Sequence, residues 1–173
     1  MIPDFLNPSQ TLNNLSFLED HFTAVDIGSG SGGWTIPLAK MLENGKVYAL
    51  DIQGEPLSAL NGRLEHENIR NVQTMLANIE KGVKIGENTF HFAVLSNVLF
   101  QIDNKEAALN EVKRILKPGA RVLIIDWKKL SNVGPKEHAI AREEMKELAQ
   151  KIGFTLENDF DLGKYHWGLI FKK

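Results

Sequence analysis

Short apolar runs and amphipathic stretches alternate along most of this chain. Runs of roughly 4–8 apolar residues bounded by turn residues read as buried strands, whereas apolar positions recurring every three or four residues read as helices. On those rules Thr23 to Ile27, Lys46 to Leu50, Val72 to Leu76, Phe90 to Leu95 and Arg121 to Ile125 are strands. Helical patterns run from about Trp34 to Leu42, ending at Asn44-Gly45, and from Glu55 to about His66 with Leu57, Leu60 and Leu64 on one stripe. Asp103-Asn-Lys-Glu106 reads as a capping box with Asp103 at the cap. The helix it opens turns Ala108, Leu109, Val112, Ile115 and Leu116 inward and stops at Lys117-Pro118-Gly119.

After a loop from Ser131 to Pro135, Glu137 to Lys151 reads as a helix with Ile140, Ala141, Met145, Leu148 and Ile152 inward. The runs Gly153 to Glu157 and Trp167 to Phe171 are joined by a loop without a helix, so they are expected to pair antiparallel. Five strands connected across helices and loops and closed by such a pair fit an α/β, Rossmann-like, doubly wound sheet. Ahead of the first strand, Met1 to His21 carries a short helical pattern with Leu12, Leu15 and Leu18 near one face. That segment is expected to cap an edge of the core or to close over a ligand cleft.

The chemistry concentrates where the first strand ends. Gly28, Gly30, Gly32 and Gly33 fall within six positions, directly ahead of a helical pattern. A strand, a glycine turn and a helix make a small-ligand cradle at the carboxyl edge of a sheet. Gly28, Gly30 and Gly33 satisfy G-x-G-x-x-G, the dinucleotide spacing in which a diphosphate rests on the helix. Gly28, Gly30 and Gly32 with Asp26 ahead of them satisfy an acidic-x-G-x-G-x-G spacing instead. A carboxylate there repels a diphosphate and suits a ligand carrying an ammonium group, such as S-adenosylmethionine.

Composition narrows the class. The 173 residues suggest one domain, 1–173, large enough for a full core. The formal net charge is −2 and no Lys or Arg run exceeds two residues, so a broad nucleic-acid footprint is not indicated. Without cysteine there is no disulfide, thiolate metal site or cysteine nucleophile. No basic, apolar leader and no membrane-length apolar run is evident, so the expectation is a soluble, cytoplasmic protein with no metal site.

Asp51 follows the second strand 23 positions after Gly28, near the offset at which an acid meets ribose hydroxyls, and a role in capping the next helix can coexist with that one. Asn78, after the third strand, is either an adenine contact, with Ile52 and Ile79 on the ring faces, or a solvated loop residue.

Val25-Asp-Ile-Gly-Ser-Gly-Ser-Gly32, Val47-Tyr-Ala-Leu-Asp-Ile52, Ala93-Val-Leu-Ser-Asn-Val-Leu99 and Glu111 to Asp126 with its Leu-Lys-Pro-Gly run carry a resemblance. In that order they resemble the class I S-adenosylmethionine-dependent methyltransferases, in particular small ones similar to the ubiquinone/menaquinone-biosynthesis type. The resemblance implies a seven-stranded sheet in the order 3-2-1-4-5-7-6, its last strand antiparallel. It implies that Asp26 with the backbone of Gly28 and Gly30 holds the methionine end of the cofactor, that Asp51 holds the ribose, and that Ile52, Asn78 and Ile79 surround the adenine. Ser96 and Asn97 would line the cleft beneath the sulfonium. An acid is common near Asn78 in that family, and His91 stands where the family usually has Asp.

The implied activity is methyl transfer from S-adenosylmethionine by in-line displacement, in which the enzyme mainly aligns the nucleophile. Asp126 and His166 are the candidates for a general base, each with a commoner structural role, and Trp127 and Tyr165 stand nearby in sequence. No Asn/Asp-Pro-Pro-aromatic run follows the fourth strand and no cysteine serves arsenic chemistry, so a small-molecule acceptor is expected. With no large insertion, either short loops recognise that acceptor or a partner subunit completes the site, as a homodimer would. The rival readings are a non-catalytic methyltransferase-like module that binds cofactor or a partner, and an NAD(P)-dependent oxidoreductase on the same fold.

Overall fold

The computed structural model describes residues 6–129, 134–135 and 139–173. In chain order the elements are α1 (Pro8–Asn13), β1 (Thr23–Ile27), α2 (Thr35–Met41), β2 (Lys46–Asp51), α3 (Gly54–His66), β3 (Val72–Leu76) and β4 (Phe90–Ser96). They continue with α4 (Lys105–Ile115), β5 (Leu116–Trp127), α5 (Arg142–Ile152), β6 (Thr155–Leu162) and β7 (His166–Lys172). Two 3-10 turns, Ile79–Lys81 and Leu99–Gln101, follow β3 and β4. The strands form one sheet in the order β3-β2-β1-β4-β5-β7-β6, as the resemblance implies. β1 to β5 pair parallel, and β7 runs antiparallel to both neighbours.

Both faces of the sheet are covered, and alternation along the central strands sorts their side chains between them. Val122 and Ile124 of β5 join Ala93 and Leu95 of β4 in the cluster that also takes in Leu109 and Val112 of α4 and Met145 of α5. Leu123 and Ile125 join Phe92 and Val94 in the opposite cluster with Trp34, Leu38, Leu12 and Leu15. The segment ahead of β1 therefore packs on the α2 side of the sheet through Leu12 and Leu15. Its helix is a six-residue one capped by Asn7, whose Oδ1 accepts from Gln10 N at 3.0 Å.

Several expected boundaries move, each for a local reason. The cap of α4 is Asn104, not Asp103: its Oδ1 accepts from Ala107 N at 2.9 Å, and its own N–H donates to Glu80 at 2.8 Å. β5 begins at Leu116, so Lys117-Pro118-Gly119 ends the helix from inside the strand. Register passes from Phe90↔Leu116 to Phe92↔Arg121, so His91 alone stands against residues 117–120. His91 fills that irregularity at the amino edge of the sheet. Its Nδ1 accepts from Thr23 N at 3.0 Å and its ring stacks on Phe22 at 4.7 Å.

The α5 helix starts at Arg142 rather than Glu137, because Ala141 is extended (φ −71, ψ 145) and Arg142 reaches Asp159 and Asp161 on β6. Residues 136–138 and most of the expected loop, Ser131 to Val133, lie outside the described residues.

Asn44-Gly45 is not the cap of α2, which closes at Leu42. Gly45 instead lets two chain segments meet: a Cβ there would lie 2.1 Å from the Phe22 carbonyl oxygen, which accepts from Lys46 N at 3.1 Å. A Gly45→Ala substitution is expected to destabilise the protein by about 1–3 kcal/mol through forced overpacking. Gly62→Ala, on the exposed face of α3 with open space around it, should stabilise by about 0.5–1 kcal/mol. Urea unfolding of the two variants checks the pair, and equal midpoints would refute the contact.

Candidate functional site

A cavity of about 320 Å³ opens where β1, β2 and β4 end, with the two 3-10 turns as its far wall. Gly28, Gly30, Asp51, Ile52, Asn78 and Ile79 line it. A second cavity of about 330 Å³ lies between α1 and the β6–β7 hairpin and includes no residue of the glycine turn. Six of the eight cofactor-binding candidates from the sequence thus converge on the first.

The glycine turn distinguishes the two spacings that the sequence left open. Gly28, Gly30 and Gly32 take positive φ (73°, 53° and 93°), whereas Gly33 does not and has open space where a Cβ would sit. A Cβ on Gly28 would lie 2.5 Å from Val98, and one on Gly32 2.4 Å from Leu60. The glycines the backbone requires are those of the acidic-x-G-x-G-x-G spacing.

Four N–H groups of the turn are already engaged. Gly28 N and Ser29 N both donate to Leu50 O, at 2.8 and 2.9 Å, and Gly32 N donates to Ser29 O at 3.0 Å. Gly30 N donates to Asp51 Oδ2 at 2.8 Å, while Asp51 Oδ1 accepts from Gln53 N at 2.9 Å. The Asp51 carboxylate therefore ties the turn to the end of β2 and does not cap α3 through its side chain. Each of its oxygens keeps a further lone pair, enough to accept from a vicinal diol.

Asp26 stands behind the turn, 1% exposed and outside the cavity lining. Thr35 Oγ1 donates to its Oδ2 at 2.6 Å. Burial pushes its carboxyl up to about 7 against the pull of the Thr35 hydrogen bonds, and the nearby Asp51 charge adds to the rise.

Ile52 is 58% exposed where it lines the cavity, unusual for a large aliphatic side chain, whereas Ile79, also in the lining, is buried. Asn78 Oδ1 accepts from Glu80 N at 2.9 Å and so caps the first 3-10 turn. Ser96 ends β4 and does not reach the lining, whereas Asn97 does, in a left-handed conformation (φ 55°). Ser29 Oγ, Ser96 Oγ and Asn97 Oδ1 are buried with no hydrogen-bond partner.

The two base candidates lie elsewhere. Asp126 is fully buried, accepting from Trp127 N at 2.8 Å and Leu99 N at 3.2 Å, and burial pushes its carboxyl up to about 6. His166 is 3% exposed, its ring 4.1 Å from that of Trp127; burial lowers its pKa, and both ring nitrogens lack partners. Neither residue lines the cavity.

Sequence reasoning missed Gln53, Pro56, Glu80, Val98, Gln101 and Ile102, all of which line it. Their signal was position alone, just past strand ends. Among the described residues no cluster of His, Asp and Glu could hold a metal ion, and no helix is long and apolar enough to cross a membrane.

Comparison with known proteins follows the same lines. A family model described as a methyltransferase domain matches residues 18–170. The ubiquinone/menaquinone biosynthesis C-methyltransferase UbiE of Salmonella arizonae is 31% identical over 145 residues, covering 83% of this chain and 57% of that protein. The chain thus spans a little over half the length of the curated relatives it matches. A SAM-dependent methyltransferase from Aquifex aeolicus superposes with a TM-score of 0.90 at 28% identity, covering 98% of this chain and 90% of the other. The [4+2]-cyclase SpnF superposes with a TM-score of 0.85 at 13% identity, covering 95% of this chain and 79% of the other, a likeness of fold alone. On the family match, the sheet order and the acid-guarded glycine turn together, the chain belongs to the class I S-adenosylmethionine-dependent methyltransferases.

Proposed function

We propose that this protein transfers a methyl group from S-adenosylmethionine to a small-molecule acceptor. The observation that carries the reading is the glycine turn, in which the N–H groups of Gly28, Ser29, Gly30 and Gly32 are hydrogen-bonded within the chain and whose flanking acids, Asp26 and Asp51, disfavour a diphosphate. A dinucleotide would need those donors free. A ligand with a cationic amino-acid tail and a diol needs acceptors instead, and acceptors are what the chain presents.

The residues at the cavity fit that cofactor. Asp51 accepts from the ribose hydroxyls while keeping its bonds to Gly30 and Gln53. Ile52 and Ile79 pack on the faces of the adenine, with Asn78 at its edge. Gly28 and Gly30 let the methionine portion approach the backbone, and Asp26 supplies the negative potential that favours its ammonium. Asn97, in the lining, offers an unpartnered side-chain oxygen, and the hydroxyls of Ser29 and Ser96 are also buried without partners. When bound, the cofactor supplies an electrophilic methyl carbon on its sulfonium, which passes to the nucleophile as the carbon–sulfur bond breaks. The chain's part is alignment and exclusion of water by the walls at Val98 and Ile102. Residues 1–173 act as one domain in this reading, the segment ahead of β1 serving as a cap. Similarity to a quinone-biosynthesis C-methyltransferase makes quinone-type rings the first acceptors to assay.

Calorimetry should show that S-adenosylmethionine and its demethylated product bind and that reduced nicotinamide dinucleotide does not. Asp51→Ala should weaken S-adenosylmethionine by roughly 1–3 kcal/mol, the loss of hydrogen bonds to a charged group; unchanged affinity would remove Asp51 from the site. Of the glycines, Gly33→Ala should bind as the wild type does, whereas Gly32→Ala should bind poorly. The reverse order would restore the dinucleotide spacing.

Asp26 gives the site a pH signature. Its folded pKa lies above the unfolded value, so between about pH 4 and 7 the folded state holds the extra proton, and stability falls as pH rises through that window. Asp26→Asn should therefore raise the thermal midpoint at pH 8 and leave it little changed near pH 4. A bound cation reverses the preference: S-adenosylmethionine affinity should rise about tenfold between pH 5.5 and 7 as Asp26 ionises, and stay flat in Asp26→Asn. A wild-type affinity independent of pH would take Asp26 out of cofactor recognition.

A further inference from the structure

The wall opposite the glycine turn is the short segment from Asn97 to Ile102, and charged side chains from β5 and α4 hold it. Its first backbone link is to the sheet, where Asn97 N donates to Ile125 O at 2.9 Å. The chain then leaves β4 in a left-handed residue and enters the Leu99–Gln101 turn. A 3-10 turn of this length closes few bonds of its own, here Gln101 N to Val98 O and Ile102 N to Leu99 O, at 2.9 and 3.1 Å. Its leading N–H groups need outside acceptors.

Asp126 supplies them. Its Oδ2 accepts from Leu99 N at 3.2 Å, with the Phe100 amide also directed to the carboxylate, while Oδ1 accepts from its own neighbour Trp127 N at 2.8 Å. At the other end Lys105 Nζ donates to Ile102 O at 2.8 Å, and the charge of Lys105 also acts on Asp126. Just beyond, Asn104 N donates to Glu80 Oε1 at 2.8 Å, joining this wall to the first 3-10 turn. An anion at the amino end and a cation at the carboxyl end bracket the segment in the sense that the aligned peptide dipoles favour.

The bracket fixes where Val98 stands. Val98 presses on Gly28 so closely that a Cβ at position 28 would lie 2.5 Å from Val98 Cγ2. The two walls of the cavity thus meet at Val98 and Gly28, one residue from the Asp126 anchor.

We propose that Asp126 is a positioning residue: it holds the Leu99–Gln101 turn against the glycine turn, and so sets the width of the cavity that receives the cofactor. The assignment rests on the cofactor reading of that cavity. It also gives Asp126 a role distinct from general base. Both carboxylate oxygens accept backbone N–H groups, and the residue is sealed from the cavity.

Asp126→Asn keeps the shape and turns an amide donor toward one of the two N–H groups. Backbone hydrogen exchange by mass spectrometry should show Leu99 to Ile102 at least tenfold faster in this variant, with β6 and β7 unchanged. Calorimetry should show the S-adenosylmethionine dissociation constant raised about tenfold or more. A residue that served only general stability would loosen the sheet with the turn. Should Asp126→Asn fail to fold, Lys105→Met removes the opposite anchor and should give the same pattern at smaller amplitude. Unchanged exchange at Leu99 to Ile102, or faster exchange with unaltered cofactor affinity, overturns the proposal. A wild-type protein that binds no S-adenosylmethionine instead refutes the cofactor reading, and the exchange experiment still decides whether the clamp exists.

Discussion

The carbonyl oxygen of Leu50 accepts two N–H groups from the glycine turn, and the carboxylate that follows it accepts a third. That fold-back of the turn onto the end of β2 is the constraint from which the site follows. It closes the first loop on itself and holds the Asp51 carboxylate at the cavity. Turns of this kind on open α/β sheets are usually described as donor-rich cradles for phosphate. Here α2 is short, its N-cap Trp34 makes no side-chain cap, and the amides of Gly28, Ser29, Gly30 and Gly32 are taken. The same strand–turn–helix geometry has been given the opposite electrostatic sense by two carboxylates.

Those carboxylates work against each other in the unliganded protein. Asp26 is buried beneath the turn and Asp51 lies above it, and the charge of the second raises the pKa of the first. Burial alone would be expected to select an amide at position 26, since Asn could keep the Thr35 hydrogen bond without the desolvation cost. An ionisable group in such a place is more at home beside a ligand that brings positive charge. Structural ion pairs shift pKa values as well, but no cation of the chain contributes to Asp26.

Legibility differed between the strands and the places where strands end. Apolar runs on this chain are short and well separated, so β1 to β4 fall within a residue of their expected bounds, and the β6–β7 hairpin declares itself by having no helix between its strands. Caps and turns misled for a common reason: several residues nearby could do the same job. Asp103 and Asn104 are both good caps, and the Asn104 backbone goes to Glu80 of another turn, a contact no local pattern records. Gly45 looked like a helix stop and is a close approach to Phe22, 23 residues upstream. Gly28, Gly30 and Asp51, which line the cavity, were legible because each sits at a strand end whose chemistry is unusual. Val98, Gln101 and Ile102 were not, since apolar residues after a strand read as more of the core.

The same distinction explains why Asp126 was read as a candidate base. From the sequence, an acid at the carboxyl end of a central strand is a natural proton acceptor, for that edge is where ligands of such sheets bind. In three dimensions β5 is covered there by the segment that leaves β4, and the carboxylate meets N–H groups instead of solvent. A proton-transfer role would require the carboxyl to reach the cavity, and reaching it would strip Leu99 and Trp127 of their acceptor in a buried place. Each such loss costs about 1–3 kcal/mol. Two at once would be a large share of the stability of a domain this size, so the geometry that makes Asp126 a good anchor is also what keeps it from the reacting atoms.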